Sequence, residues 1–114
     1  MTTGKNSDEN SSDRSNYQEP AMIVRFHIDP IEQGLYEYRV TYEGEALYGD
    51  AGLSSMEECI VAATEGLGSD AVAAEVAYKS VISGTYALAS LALMSSQIAD
   101  HALQTTLAIE EVSL

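Results

Sequence analysis

Between Lys79 and Asp100 the chain runs twenty residues without a charge, SVISGTYALASLALMSSQIA, in a protein whose formal net charge is −13. A run of this kind has to be buried in a bilayer, in a core or in a contact between subunits. Its length suits a bilayer, since about 20 residues at 1.5 Å rise cross the hydrocarbon. Its content does not. Five of the twenty are serines, Gln97 stands near the end, and Gly84-Thr85 interrupts the first third. The flanks hold Lys79 on one side and Asp100, Glu110 and Glu111 on the other, so no Lys/Arg cluster orients a span. The opening segment MTTGKNSDEN lacks the basic-then-apolar pattern of a secretory signal. The expectation is a cytoplasmic protein without membrane contact, its charge-free run a helix buried in a core or a subunit interface.

Eighteen acids face five bases, spread along the whole chain. Direct binding of DNA or RNA needs a basic face and is disfavoured, as is attraction to anionic lipid. A basic protein partner, mimicry of nucleic-acid phosphates and simple solubility all remain open. Residues 1–20, rich in Ser, Asn, Asp and Glu, bury too little to offset their ordering entropy and read as a disordered polar tail. Residues 21–114 then form a single domain. The lone Cys59 excludes an internal disulfide and a cysteine-based metal framework.

Met22–Ile28, MIVRFHI, is a strand signal that Asp29-Pro30 should end. Leu35–Tyr42 alternates cleanly, with Tyr36, Tyr38, Val40 and Tyr42 on one face and Glu37, Arg39 and Thr41 on the other. Glu43-Gly44 supplies a tight turn into a short third strand, Glu45–Gly49. Ser54 and Ser55, each three residues before a glutamate, offer a capping box for a helix on which Met56, Cys59, Ile60 and Ala63 recur at helical spacing. Gly66-Leu67-Gly68 closes it. From Ala71 onward alanines are frequent and proline is absent, so a long helix, broken or kinked at Gly84-Thr85, is expected. Rows through Val81, Leu88 and Ser95, and through Gly84, Leu91 and Ile98, resemble a diluted heptad seam. They suit either a close helix pair in a homodimer, with Val81, Leu88, Leu91 and Ile98 at the interface, or ordinary packing over the sheet.

No constellation for catalysis emerges. His27 and His101 have no partner at metal-ligand spacing, Glu57-Glu58 fits capping, and acidic neighbours leave Cys59 unactivated. The expectation is a non-enzyme with no catalytic residue, no metal and no cofactor.

Gly34-x-Tyr36-x-Tyr38-x-Val40, then Gly44, a short strand and Leu53-Ser54-Ser55-Met56-Glu57-Glu58-Cys59-Ile60, resembles the β-β-β-α start of HicB-like antitoxins. The resemblance spans residues 22–67 and implies a neutralising partner-binder.

Together these observations predict an α+β fold: a three-stranded antiparallel β-meander, a short helix, and a long or kinked C-terminal helix. The function expected is a small acidic protein-binding module, an inhibitor or neutraliser of the antitoxin, immunity or anti-defence type acting on a basic partner. A nucleic-acid mimic or a structural homo-oligomer are the alternatives, and a small-ligand enzyme would need a concave pocket gathering a histidine with carboxylates. The expected partner surface is Tyr36, Glu37, Tyr38, Tyr42, Glu43, Glu45 and Asp50, as aromatics flanked by charge make interface anchors. The same tyrosines would equally serve as core beneath the helices.

Overall fold

The computed structural model describes residues 22–112, so the polar tail expected over residues 1–20 lies outside the described residues. Strands β1 (Met22–Glu32), β2 (Leu35–Tyr42) and β3 (Glu45–Leu53) lead into helix α1 (Met56–Glu65). Strands β4 (Ala71–Tyr78) and β5 (Val81–Ala87) then precede α2 (Leu88–Leu93) and α3 (Ser95–Val112). The fold is mixed α+β, with strand order β3-β2-β1-β4-β5.

The three expected strands are thus part of a five-stranded sheet, not a simple meander, and two further expectations are corrected. Residues 71–87 are a hairpin rather than the start of a long helix, and Gly84-Thr85 lies inside β5 rather than at a helix kink. The charge-free run becomes an edge strand, a six-residue helix and the first turn of α3, so no heptad row threads it. No described helix is long and apolar enough to cross a membrane.

Local chemistry explains each element. The β2–β3 turn places Glu43 and Gly44 at φ 50° and 87°, the backbone a two-residue hairpin requires. The β4–β5 turn does the same with Lys79 and Ser80, at φ 52° and 71°. Pro30 does not end β1, which continues to Glu32 opposite β2. The parallel pairing of β1 with β4 stops at Ile28 opposite Tyr78, so the missing N–H of Pro30 removes no ladder bond on that side. At α1 the Ser55 hydroxyl accepts from the Glu58 N–H at 3.1 Å, and the Glu58 carboxylate returns to the N–H and hydroxyl of Ser54, both at 2.8 Å. Those bonds hold the Glu58 carboxyl below its ordinary range.

The core lies between one sheet face and all three helices. Val24, Phe26 and Ile28 of β1, Tyr38 and Val40 of β2, and Ala74, Val76 and Tyr78 of β4 meet Met56, Cys59 and Ile60 of α1, Leu91 of α2, and Ile98 and Ala102 of α3. Each large apolar side chain buried here contributes about 1.5–3 kcal/mol. Leu91 and Ile98, expected at a dimer interface, are 0 % and 3 % exposed within one chain and so are spent on its own core. Leu88 packs partly against the same cluster, and Val81 is half-buried on β5. Tyr48 of β3 crosses to α1, donates its hydroxyl to the Ala63 carbonyl, and stacks edge-on against Tyr38 at 6.3 Å. Gly66 leaves room for that ring, because a Cβ there would stand 2.7 Å from it.

Candidate binding face of the sheet

Period-two alternation sends Ile23, Arg25, His27 and Asp29 of β1 and Glu37, Arg39 and Thr41 of β2 to the face away from the helices. Register then decides who meets whom. His27 stands opposite Arg39, and Arg25 stands between Thr41 on one side and Glu75 of β4 on the other. These groups surround a shallow pocket of about 290 Å3 lined by Ile23, Arg25, His27, Arg39, Thr41 and Glu75, with Glu43 and Gly44 at its rim.

Arg25 Nε donates to Glu75 Oε1 at 2.8 Å. Arg39, exposed and directly across from His27, has no acidic partner within 4 Å among the described residues. His27 Nε2 shares a 2.9 Å hydrogen bond with the hydroxyl of the nearly buried Thr41. Burial first, then the guanidinium groups of Arg39 and Arg25, lower the imidazole below its ordinary range, against a smaller upward pull from Asp29 and Glu75. The neutral imidazole is therefore the favoured form of His27. Formal charges around the pocket balance, two arginines against Glu43 and Glu75, and Arg39 stands exposed at its surface.

The expected partner surface does not assemble as one patch. Tyr36, Tyr38 and Tyr42 belong to the helix-covered face: Tyr38 is 7 % exposed, and Tyr36 and Tyr42 pack partly against the core. Glu37 projects to the opposite face, Glu43 lies in the β2–β3 turn and Glu45 follows it, and Asp50 lies on the edge strand, its carboxylate accepting from the Ala51 N–H at 2.8 Å. A sheet cannot present neighbouring residues of one strand on the same side. The tyrosines thus serve as core, while the four acids remain exposed.

The pocket groups Arg25, Arg39 and Thr41 belong to no sequence motif that points to chemistry. Alternation already sorted Arg39 and Thr41 away from the tyrosines, but bringing Arg25, His27 and Glu75 beside them takes strand register. Among the described residues no three His, Cys, Asp or Glu side chains are grouped to hold a metal. His101 is exposed on α3, remote in the chain from the pocket residues. Burial, aided by Glu58, pushes the Cys59 thiol up to about 11. A broader groove of about 580 Å3 runs along α1 past Glu57, Glu58 and Glu65, where Glu58 is already engaged in capping.

No family model, no curated protein and no solved structure matches this chain.

Proposed function

We propose that this protein is a non-enzymatic binding module that holds a partner protein on the helix-free face of its sheet, with one carboxylate of the partner seated between Arg39 and His27. The observation that supports this most directly is Arg39, an exposed guanidinium without an acidic partner among the described residues, directly opposite the His27 imidazole. A planar carboxylate matches a guanidinium fork, and such charge-assisted bonds are about twice as strong as neutral ones. Around this anchor Asp29, Glu37 and Glu43 suit basic side chains on the partner, and the charge of −13 draws a basic protein toward them at long range. The partner on this reading is basic overall with one acidic anchor. An inhibitor or neutraliser, as the likeness to HicB-like antitoxins implies, works by such occlusion.

The pocket also gathers His27 with Glu43 and Glu75, the feature that would favour a small-ligand enzyme. Its chemistry is poorer than its composition. The Thr41 hydroxyl is nearly buried, and the surrounding strand N–H groups are committed to the sheet ladders, so the donors left at the pocket are the arginine guanidinium groups that the proposed carboxylate would occupy.

A photocrosslinking side chain at Ile23, beside the pocket, should capture a discrete protein in extract of the source cell, and one at Gln104 on α3 should not. Arg39→Gln should weaken capture about tenfold, the loss of roughly one charge-assisted hydrogen bond. Equal capture from both positions, or indifference to Arg39→Gln, would sink the proposal.

A further inference from the structure

The binding pocket leaves the most conspicuous sequence feature unused. Leu91 and Ile98 consume the later part of the charge-free run in the core, but its first part, β5, ends up at the edge of the sheet. An edge strand presents a row of backbone N–H and C=O groups without sheet partners, and natural edges are ordinarily blunted by lysine, proline or inward-pointing charge. Val81–Ala87, VISGTYA, has none of these, and its one irregularity is the bulge at Ser83 between the Val76–Gly84 and Ala77–Ile82 pairs. The opposite edge, β3, contains Glu45 and Asp50.

We propose that β5 pairs antiparallel with β5 of a second copy of this chain, about a two-fold axis between Ser83 and Gly84, joining two five-stranded sheets into one. The register follows from the faces. Thr85 stands opposite Glu75, and Ile82 opposite Ala77, on the helix-free side. Tyr86 and Val81 stand opposite Ala74 and Tyr78 on the helix side. An axis between Ser83 and Gly84 sets Ile82 against the second copy's Thr85 and Val81 against its Tyr86, so like faces meet.

Self-complementary faces admit a second copy at β5, and charge favours this edge over β3. Two chains of −13 repel wherever acids approach, and a two-fold pairing sets identical strands against one another, so charges of one sign on such a strand confront each other. On β3 a two-fold of this kind would draw Glu45 toward Asp50. On β5 no charge meets another, and the Lys79–Ser80 turn approaches the uncharged Ala87–Leu88 of the second copy. Exposed apolar side chains accompany this edge: Ile82 on β5 itself, and Leu93 of α2 and Leu107 of α3, the two helices that pack against β5. The pairing places both carboxylate pockets on one side of a continuous sheet, although it rests on the β5 edge and not on the pocket.

Sedimentation equilibrium of the full chain from micromolar to millimolar concentration should give twice the 12.2 kDa chain mass. The double variant Ile82→Glu, Thr85→Glu sets acids opposite one another twice and should raise the dissociation constant about tenfold or more. The variant Ile82→Lys, Thr85→Lys should dissociate likewise, and mixing the two should restore a dimer with one copy of each. Leu47→Glu, at a comparably exposed position on the β3 edge, should leave the dimer intact. Circular dichroism confirms that each variant is folded. A monomeric wild type, a dimer unmoved by the β5 charges, a mixture that stays monomeric, or equal loss from Leu47→Glu each overturns the proposal.

Discussion

Leu91→Ala separates the role of the charge-free run in the structure from the role its sequence suggests. Leu91 is fully buried, 0 % exposed, on a six-residue helix held between α1, α3 and the β4–β5 hairpin. Truncation to alanine removes three carbons from that environment, about 2.4 kcal/mol at ~0.8 kcal/mol for each buried methylene. The cavity adds to this, and buried Leu→Ala substitutions span about 2–5 kcal/mol according to how far the site collapses. A short helix between a strand and a helix junction can settle inward, which places the expected cost at about 2–4 kcal/mol. Against a total stability of about 5–15 kcal/mol that is a large fraction. Urea unfolding followed by far-ultraviolet circular dichroism should show the midpoint falling by about 2 M at an m-value near the low end for small domains. The decisive property is how the difference between wild type and variant behaves on dilution. A core residue gives the same difference at every protein concentration. A residue at a helix–helix dimer seam gives a difference that changes with concentration, and that result, or a cost below about 1 kcal/mol, would refute the placement.

Four further outcomes are expected. Ser80→Gly should raise stability by about 0.5–1 kcal/mol in the same urea assay, because φ 71° costs a side-chain-bearing residue more than glycine loses in unfolded-state entropy. Ser55→Ala should cost about 1 kcal/mol by removing the acceptor for the Glu58 N–H, and carbon-detected NMR titration should place the Glu58 carboxyl below the ordinary glutamate range. His27, its imidazole depressed in the folded state, should contribute stability that is fully present above the ordinary histidine value and declines as pH falls through the folded value; Arg39→Gln should shift its NMR titration upward. Cys59, buried and with its thiol raised to about 11, should resist a chromogenic disulfide reagent at neutral pH until the chain is unfolded.

What could be read from the residues divides at Ala71. Before it, signals agree with one another: alternation in Leu35–Tyr42, glycine at the Glu43–Gly44 turn and the serine–glutamate cap of α1 each match the local backbone. Even there Pro30 misleads, because only the point at which β4 stops shows that its side of β1 is unpaired. After it, composition and structure disagree. AVAAEVAY has the alanine content of a helix yet forms β4, since pairing with β1 gives Ala74 and Val76 full burial. The hairpin that follows turns on Lys79-Ser80, residues without the usual glycine or asparagine preference for positive φ, so nothing in the letters marks the reversal. The candidate binding face was half legible. Alternation sorts Arg39 from the tyrosines, but the encounter of Arg39 with His27, and of Arg25 with Glu75, belongs to register between strands up to 50 positions apart.

The parallel pairing of β1 with β4 also sets the order in which this chain can assemble. β1, β2 and β3 join through two-residue turns, whereas β1 meets β4 only after α1 has crossed the sheet. Closing that longer loop costs entropy before its contacts offset it, so the meander and α1 form a natural early nucleus and the β4–β5 half docks late. A nascent chain that has reached Gly68 but not Tyr78 would hold β1 with one side open, displaying Val24, Phe26 and Ile28 without the strand that completes their cover. During synthesis that interval is the moment of greatest exposure to misassembly, and residues 71–78 are the segment that ends it.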